Sequence, residues 1–370
     1  MTSSHRHASL PASDNPYVGV GQEATGERFI GRLEMVRRVQ GVWQRPGRPS
    51  NLRVLGHHRV GKTSLVRHAL NTSTVPRAEL LTVWLNVGNH VSGADLFRSM
   101  SRQVMERLDI SVRRDPSAAE LVESLHAINA AVQLSVDWYD LSEATKRFFA
   151  TLTDAGYSAL VVLDEFDRAS TALTSLAEFQ CLRTLASESQ YSFGLITISR
   201  QHIESIEIDA MGGSILGGVV VVPEYVGMFT DTETDLMLAR AAEVGVGLAS
   251  VRSEIIDLAG RHPFLTEVLC NRLVALYRSD GEVDTSAAYL AEIHAFETQF
   301  RQLVHNINSE TGGRGLVMLQ RIAAGRPLDL PLIDLQHLRL MGIVFGKGSG
   351  TSLFSAEFGR FVLTHNRDGH

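Results

Sequence analysis

Apolar runs of strand length alternate with amphipathic stretches through the first 225 residues, and the alternation then stops. The runs at 51–55, 79–88, 158–164, 192–199 and 217–225 carry few polar positions. A strand in a sheet covered on both faces reads as a continuous apolar run. Between the second and third runs, Leu96, Met100, Val104 and Leu108 fall on one face of a helix over 93–108. Further helices are expected over 111–136 with a break at Pro116, over 141–155 and over 172–188. Residues 27–34 read as a short apolar turn entering a helix that runs to about Trp43, ended by Pro46, Gly47 and Pro49. Alternating strands and helices predict a three-layer α/β domain around a parallel sheet.

From Phe229 the pattern is helical only. Thr230 to Asp235 supply N-capping residues ahead of 236–242. A second helix is expected to end at Ala259. Gly260-Arg-His-Pro263 breaks the chain and starts a helix with proline in its first turn, running to about Tyr277. Helices are expected over 290–308, 315–323 and 331–341. A β-hairpin with a Gly-Lys-Gly-Ser-Gly tip follows over 342–354, then a closing helix over 356–364. Three helices and a hairpin are the plan of a winged-helix domain.

One stretch carries sharp chemistry. Gly56-His-His-Arg-Val-Gly-Lys-Thr63 follows the first strand and precedes a helix, which is G-x-x-x-x-G-K-[ST] in the context that pattern needs. Glycines at 56 and 61 let the backbone turn tightly so that its N–H groups converge on an anion. The following helix adds the positive end of its dipole. Lys62 is expected at the β- and γ-phosphates and Thr63 on Mg²⁺, with Ser64 as a further phosphate contact and the loop residues Arg59 and Val60 beside the nucleotide. Lysine usage sharpens the reading: Lys62, Lys146 and Lys347 are the only lysines among 35 basic residues. A lysine here suits a compact ammonium where a planar guanidinium would not fit.

The run at 158–164 ends in Asp164 and Glu165, which puts carboxylates at the sheet edge where α/β proteins bind ligands. Asp164 is expected to hold Mg²⁺, directly or through water, and Glu165 to polarise the attacking water. Asp167 is a candidate helix N-cap. The strand at 192–199 is expected between the strand at 51–55 and the strand at 158–164, which would bring Ser199 and Arg200 to face the γ-phosphate.

Net charge is −6, so no global basic field advertises nucleic acid. Cys181 and Cys270 lie in apolar helical contexts, which fits buried thiols in a reducing cytosol and neither a disulfide framework nor a zinc site. No apolar run approaches a membrane span of about 20 residues, and the N-terminus lacks a signal peptide's apolar segment. The expected location is cytoplasmic. The excess of arginine over lysine fits a GC-rich bacterial genome. No guanine-reading Asn/Thr-Lys-x-Asp stretch is present.

Taken together, these landmarks resemble the signal-transduction ATPases with numerous domains (STAND) and their archaeal-type and origin-recognition relatives within the AAA+ branch, over about 25–365. Phe29-Ile-Gly-Arg32 with Glu34 looks like the family's N-terminal sensor motif, whose apolar pair, Phe29 and Ile30, lies near adenine. Gly56 to Thr63 is similar to Walker A and Leu160 to Glu165 to Walker B. Thr197 to Arg200 looks like the first sensor. Gly260 to Pro263 resembles the turn of the helical lid whose proline packs on adenine.

The polar composition of residues 1–22, with Ser, His, Pro and Gly, reads as a flexible tail, and the resemblance implies a P-loop domain at 23–225, a helical lid at 226–285 and a winged helix at 286–370. Arg183 is a candidate arginine finger and Arg261 a candidate second sensor. The implied function is an ATP-binding, slowly hydrolysing switch with ATP or ADP and Mg²⁺ as ligands. It would self-associate or control a separate effector protein in bacterial defence or regulation. The alternative is a DNA-binding ATPase, a transposition helper or replication loader, reading DNA through 334–339 and Lys347. A third is a nucleotide-locked scaffold without turnover.

Overall fold

Five strands form one parallel sheet: β1 (Leu52–Leu55), β2 (Leu80–Asn86), β3 (Ser158–Asp164), β4 (Phe193–Ser199) and β5 (Pro223–Tyr225). Their order is β2-β3-β4-β1-β5, so β4 lies between β1 and β3 as the pattern predicts. The computed structural model describes residues 15–44, 47–73, 79–112, 119–327 and 330–365. The tail reading of 1–14 and the breaks at Pro46 and Pro116 lie outside the described residues.

The chain divides into two compact units. One comprises Leu33–Gly56 and Lys62–Tyr225. Here the odd-numbered side chains of the sheet (Leu81, Val83, Leu85, Ala159, Val161, Leu163, Phe193 and Leu195) join one core. That core is completed by α3 (Gly93–Val112), α4 (Ala119–Leu134), α5 (Trp138–Asp154), α7 (Leu176–Ser187) and α8 (Ile203–Met211), with the short α6 (Ala169–Ala172). Leu160, Val162, Ile196 and Ile198 on the other face are also buried. Arg67 of α2 (Lys62–Asn71) stacks on Trp84 of β2 at 4.1 Å, which sets α2 over that second face. Helix α1 (Leu33–Gln44) is tied to the edge strand by Arg38, whose Nε donates to Glu224 of β5 at 2.6 Å.

The strands end in step. Asn86 is in register with Asp164, and Leu55 with Ser199, so the first glycine of the loop and both polar tips share one carboxyl edge. The fifth run departs from expectation: only 223–225 is strand. The buried carboxylate of Glu207 on α8 accepts the N–H groups of Ile215, Leu216 and Gly217, at 2.7–3.1 Å, and holds that stretch in turns. Val221 and Val222 consequently stand exposed.

The second unit holds residues up to Arg32, His57–Gly61 and everything from Val226 onward. Its helices are α9 (Asp231–Ala239), α10 (Arg252–Ala259), α11 (Pro263–Asp280), α12 (Thr285–Ala291), α13 (Ile293–Glu310), α14 (Gly315–Ala323), α15 (Leu332–Leu340) and α16 (Ala356–Thr364). The antiparallel pair β6 (Val344–Phe345) and β7 (Ser352–Leu353) precedes α16. Residues 226–285 and 286–365 thus pack as one body. An aromatic cluster joins them: the His262 ring lies 6.1 Å from Phe354, which stacks on Phe358 at 4.8 Å, and Phe300 lies 5.2 Å from Phe358.

Residues 15–22, read as part of a flexible tail, are placed in this unit. Tyr17 is fully buried and its hydroxyl donates to the Met237 carbonyl at 2.7 Å. Asn15 donates to the Asn271 side chain at 2.7 Å. An aromatic with a satisfied hydroxyl is a strong anchor for a chain end, and composition alone concealed it.

Candidate functional site

In the sheet-containing unit, β1 delivers Gly56 and α2 begins at Lys62. The Lys62 Nζ donates to the Gly56 carbonyl at 2.8 Å, closing the base of the loop on itself. Thr63, in the first turn of α2, donates its hydroxyl to Asp164 Oδ2 at 3.0 Å across 101 residues. The Glu165 N–H donates to the other oxygen, Oδ1, at 2.8 Å. Burial raises the pKa of Asp164; the Glu165 N–H, the Thr63 hydroxyl and the charge of Lys62 oppose that rise. Ser64 is buried behind Thr63.

Thr63 and Asp164 together offer one hydroxyl and one carboxylate, both hard oxygen donors. Mg²⁺ takes one or two such protein ligands and completes its shell with water and phosphate. The pair fits that role. Among the described residues no group of three His, Cys, Asp or Glu could hold a metal without such outside ligands.

Glu165 has φ +52° and ψ +41°, a left-handed conformation that costs a non-glycine residue roughly 1–2 kcal/mol. Its side chain reaches the turn after β2. A Cβ added at Gly88 would lie 2.9 Å from Glu165 Oε2 and 3.1 Å from Asn86 Oδ1. Asp167 does not cap a helix; this corrects the N-cap reading. Its carboxylate accepts the N–H groups of Arg200 and Gln201, each at 3.0 Å, and lies 3.5 Å from Arg200 Nε. The end of β4 turns away from the sheet just there and leaves two amides to be satisfied, which a carboxylate does well. Arg200 therefore stands beside an acid of the β3 tip. Arg183 lies on α7.

The other unit carries the middle of the loop. His57 and Val60 are buried, so Val60 contributes packing by its side chain and only its N–H can meet a phosphate. Arg59 has φ +59°, and its guanidinium stacks on Phe264 at 4.1 Å, one residue beyond Pro263. Arg32, φ +56°, follows Phe29, Ile30 and Gly31. Its N–H donates to Glu233 Oε1 at 2.7 Å, and its Nη2 to the Gly227 carbonyl at 3.0 Å.

Burial lowers the Arg32 pKa to about 10, with Glu233 opposing. Its Nη1 is buried with no hydrogen-bond partner, and a Cβ added at Gly61 would lie 3.8 Å from that atom. Arg261 is engaged elsewhere: it pairs with Asp231 at 2.9 Å and lies over Phe345 at 5.0 Å. Arg32, Arg59 and Glu165 are the only non-glycine residues with positive φ among the described residues. Strained backbone of this kind gathers at functional sites.

Four residues here escaped the sequence reading. Glu233 was visible only as half of a capping box; its second oxygen's role in holding Arg32 was not. Phe264 had no local signature, and His262 was read only as part of the turn at 260–263. Gln299 did leave a trace, as a polar residue on the apolar face set by Phe296, Phe300 and Leu303.

Residues 28–198 match the family described as the AAA ATPase domain. No curated protein matches the chain. Among solved structures, the Walker-type ATPase PABY2304 of Pyrococcus abyssi aligns with a TM-score of 0.55 at 14% identity, over 92% of this chain and 97% of that one. The ORC2 protein of Aeropyrum pernix in its ADP form aligns with a TM-score of 0.51 at 13% identity, over 91% and 94%. At such identity the likeness concerns the fold: a parallel α/β sheet followed by helical segments. No described helix is long and apolar enough to cross a membrane.

Proposed function

We propose that the protein is an ATP-binding, slowly hydrolysing molecular switch whose nucleotide state governs self-association or a separate effector protein. The observation that carries this reading is the division of the phosphate loop. Residues 57–61 pack with the N-terminal sensor segment and the helices after 226, through Arg59 on Phe264, whereas Lys62, Thr63 and Asp164 belong to the sheet-containing unit. The segments after 226 thus hold the loop residues that lead into Lys62, which gives those helices a grip on the phosphate loop itself.

Each residue then has a role. Lys62 neutralises the β- and γ-phosphates, replacing its bond to the Gly56 carbonyl. Thr63 and Asp164 hold Mg²⁺, which draws charge from the phosphates when bound. Arg200 reads the γ-phosphate in competition with Asp167. Glu165 orients the attacking water. Phe29, Ile30 and Pro263 form the adenine side, and the free Nη1 of Arg32 is a donor for the nucleotide. Slow turnover is supported by the competing partners of Lys62 and Arg200, which phosphate must displace. The resemblance to the STAND group supports a setting in bacterial defence or regulation.

The structure gives the DNA-binding alternative little support. The charged side chains of α15 face partners within their own unit: Asp334 lies 3.3 Å from Arg314, His337 lies 3.3 Å from Glu310, and Arg339 bonds Thr351. Leu332 and Ile333 at its start are exposed apolar residues.

The test is the nucleotide content of purified protein, by denaturation and chromatography, beside Lys62→Ala. Retained ADP in the wild type and none in the variant is the expected result. An empty site that takes up no Mg-ADP or Mg-ATP overturns the reading.

A further inference from the structure

Gln299 on α13 is buried, and its Nε2 donates to the backbone carbonyl of His58 at 3.2 Å. The same nitrogen lies 3.2 Å from His262 Nε2. A backbone carbonyl only accepts, so the amide nitrogen and not its oxygen must face His58. That nitrogen has a second proton, so His262 Nε2 must accept it. The imidazole is thereby fixed neutral, with its proton on Nδ1. Burial, reinforced by the neighbouring His58, Arg32 and Arg59, pushes its pKa from 6.5 down to about 3 and keeps it neutral.

The His58 carbonyl belongs to the peptide that enters Arg59, and Arg59 is held at φ +59°. Arginine does not adopt that conformation without help, and its cost is roughly 1–2 kcal/mol. Two contacts supply the help, and both come from segments after 226: Gln299 grips the carbonyl before the strained residue, and Phe264 grips the side chain of the strained residue itself.

We propose that Gln299 is a positioning residue for the phosphate loop. With His262 fixing its orientation, it holds the His58–Arg59 peptide so that the loop amides face the phosphates. When α13 moves away, the peptide relaxes and the loop loosens its hold. This deepens the switch reading and rests on it: α13 would be the element through which the C-terminal helices set nucleotide retention.

The test uses the full chain and a fluorescent ADP analogue with Mg²⁺. Gln299→Met keeps the shape and removes both hydrogen bonds. It is expected to speed ADP release about 10-fold, as the loss of a buried hydrogen bond implies. In an Arg59→Gly background the loop needs no grip, because glycine takes positive φ freely. There the same substitution should change release less than about 2-fold, a coupling that a general loss of packing would not produce. An equal effect in both backgrounds, or none in either, overturns the proposal.

Nitrogen NMR of labelled histidines reads the pair without nucleotide. His262 protonated at Nδ1 is expected in the wild type, and protonation at Nε2 overturns the assignment even where a variant fails to fold. Failure of the wild type to bind ADP would sink the switch reading alone, leaving the tautomer to decide the pair.

Discussion

Thr63 Oγ1 stands 3.0 Å from Asp164 Oδ2 and donates to it, joining the first turn of α2 to the tip of β3. Burial raises the pKa of Asp164 above its ordinary 3.8. The folded chain therefore binds more protons than the unfolded chain between 3.8 and the raised value, and stability falls as pH rises through that window. Above it, the ionised carboxylate is held at a cost. Asp164→Asn should raise the melting temperature at pH 7 by a few degrees while weakening Mg-dependent nucleotide binding by at least about 10-fold. Thermal unfolding beside a nucleotide titration with and without Mg²⁺ checks both halves. A variant less stable and unimpaired in metal-dependent binding would contradict the assignment.

Gly88 is adjacent to the strained acid. Alanine there meets Glu165 Oε2 at 2.9 Å, and the flexible end of that side chain gives way. Gly88→Ala is expected to change the hydrolysis rate by about 10-fold with nucleotide affinity unchanged within about 2-fold, because it displaces an activating group without touching the loop. Single-turnover hydrolysis and equilibrium binding separate the two. A change in affinity alone would remove Glu165 from its proposed role.

His262 has the opposite pH sign from Asp164. Its pKa is lowered from 6.5 to about 3, so the unfolded chain carries a proton that the folded chain lacks across that interval. Stability is present above 6.5 and is lost as pH falls toward 3. His262→Gln, which retains an acceptor for Gln299, should lose less stability between pH 7 and pH 5 than the wild type. Urea midpoints at the two pH values test this; an equal loss in both proteins would show that the ring is not held neutral.

Gly260 adopts φ +63° and ψ −136°, a region open essentially to glycine, and an added Cβ would clash with the Phe354 carbonyl oxygen. Gly260→Ala combines backbone strain with a clash against backbone, and should destabilise the protein by about 3 kcal/mol or more. Denaturant unfolding with a probe in the C-terminal helices reads it. A change below about 1 kcal/mol would mean that the turn at 260 and the strand β7 region do not pack as described.

Much of this was legible because local chemistry and global fold agree. The Gly56–Thr63 spacing, the apolar run into Asp164 and the place of β4 between β1 and β3 all follow from rules of short range or of parallel topology. What escaped was set by distant partners. Glu207 turned a valine-rich run into a loop by capturing three amides, and Asp167 chose the amides of Arg200 and Gln201 over a helix end. Tyr17 fixed a polar stretch by one buried ring. Arg59 gave no sign in the sequence that it would take a conformation suited to glycine, since the contacts that hold it come from residues 264 and 299.

Hydrogen exchange of α13 and of the helices after it, with Mg-ADP against a non-hydrolysable Mg-ATP analogue, tests the central claim most directly. Local opening is read residue by residue in this way. The switch account predicts that α13 amides exchange measurably faster in the triphosphate state, and that Lys62→Ala abolishes the difference. Identical protection in both nucleotide states, with nucleotide demonstrably bound, would contradict it.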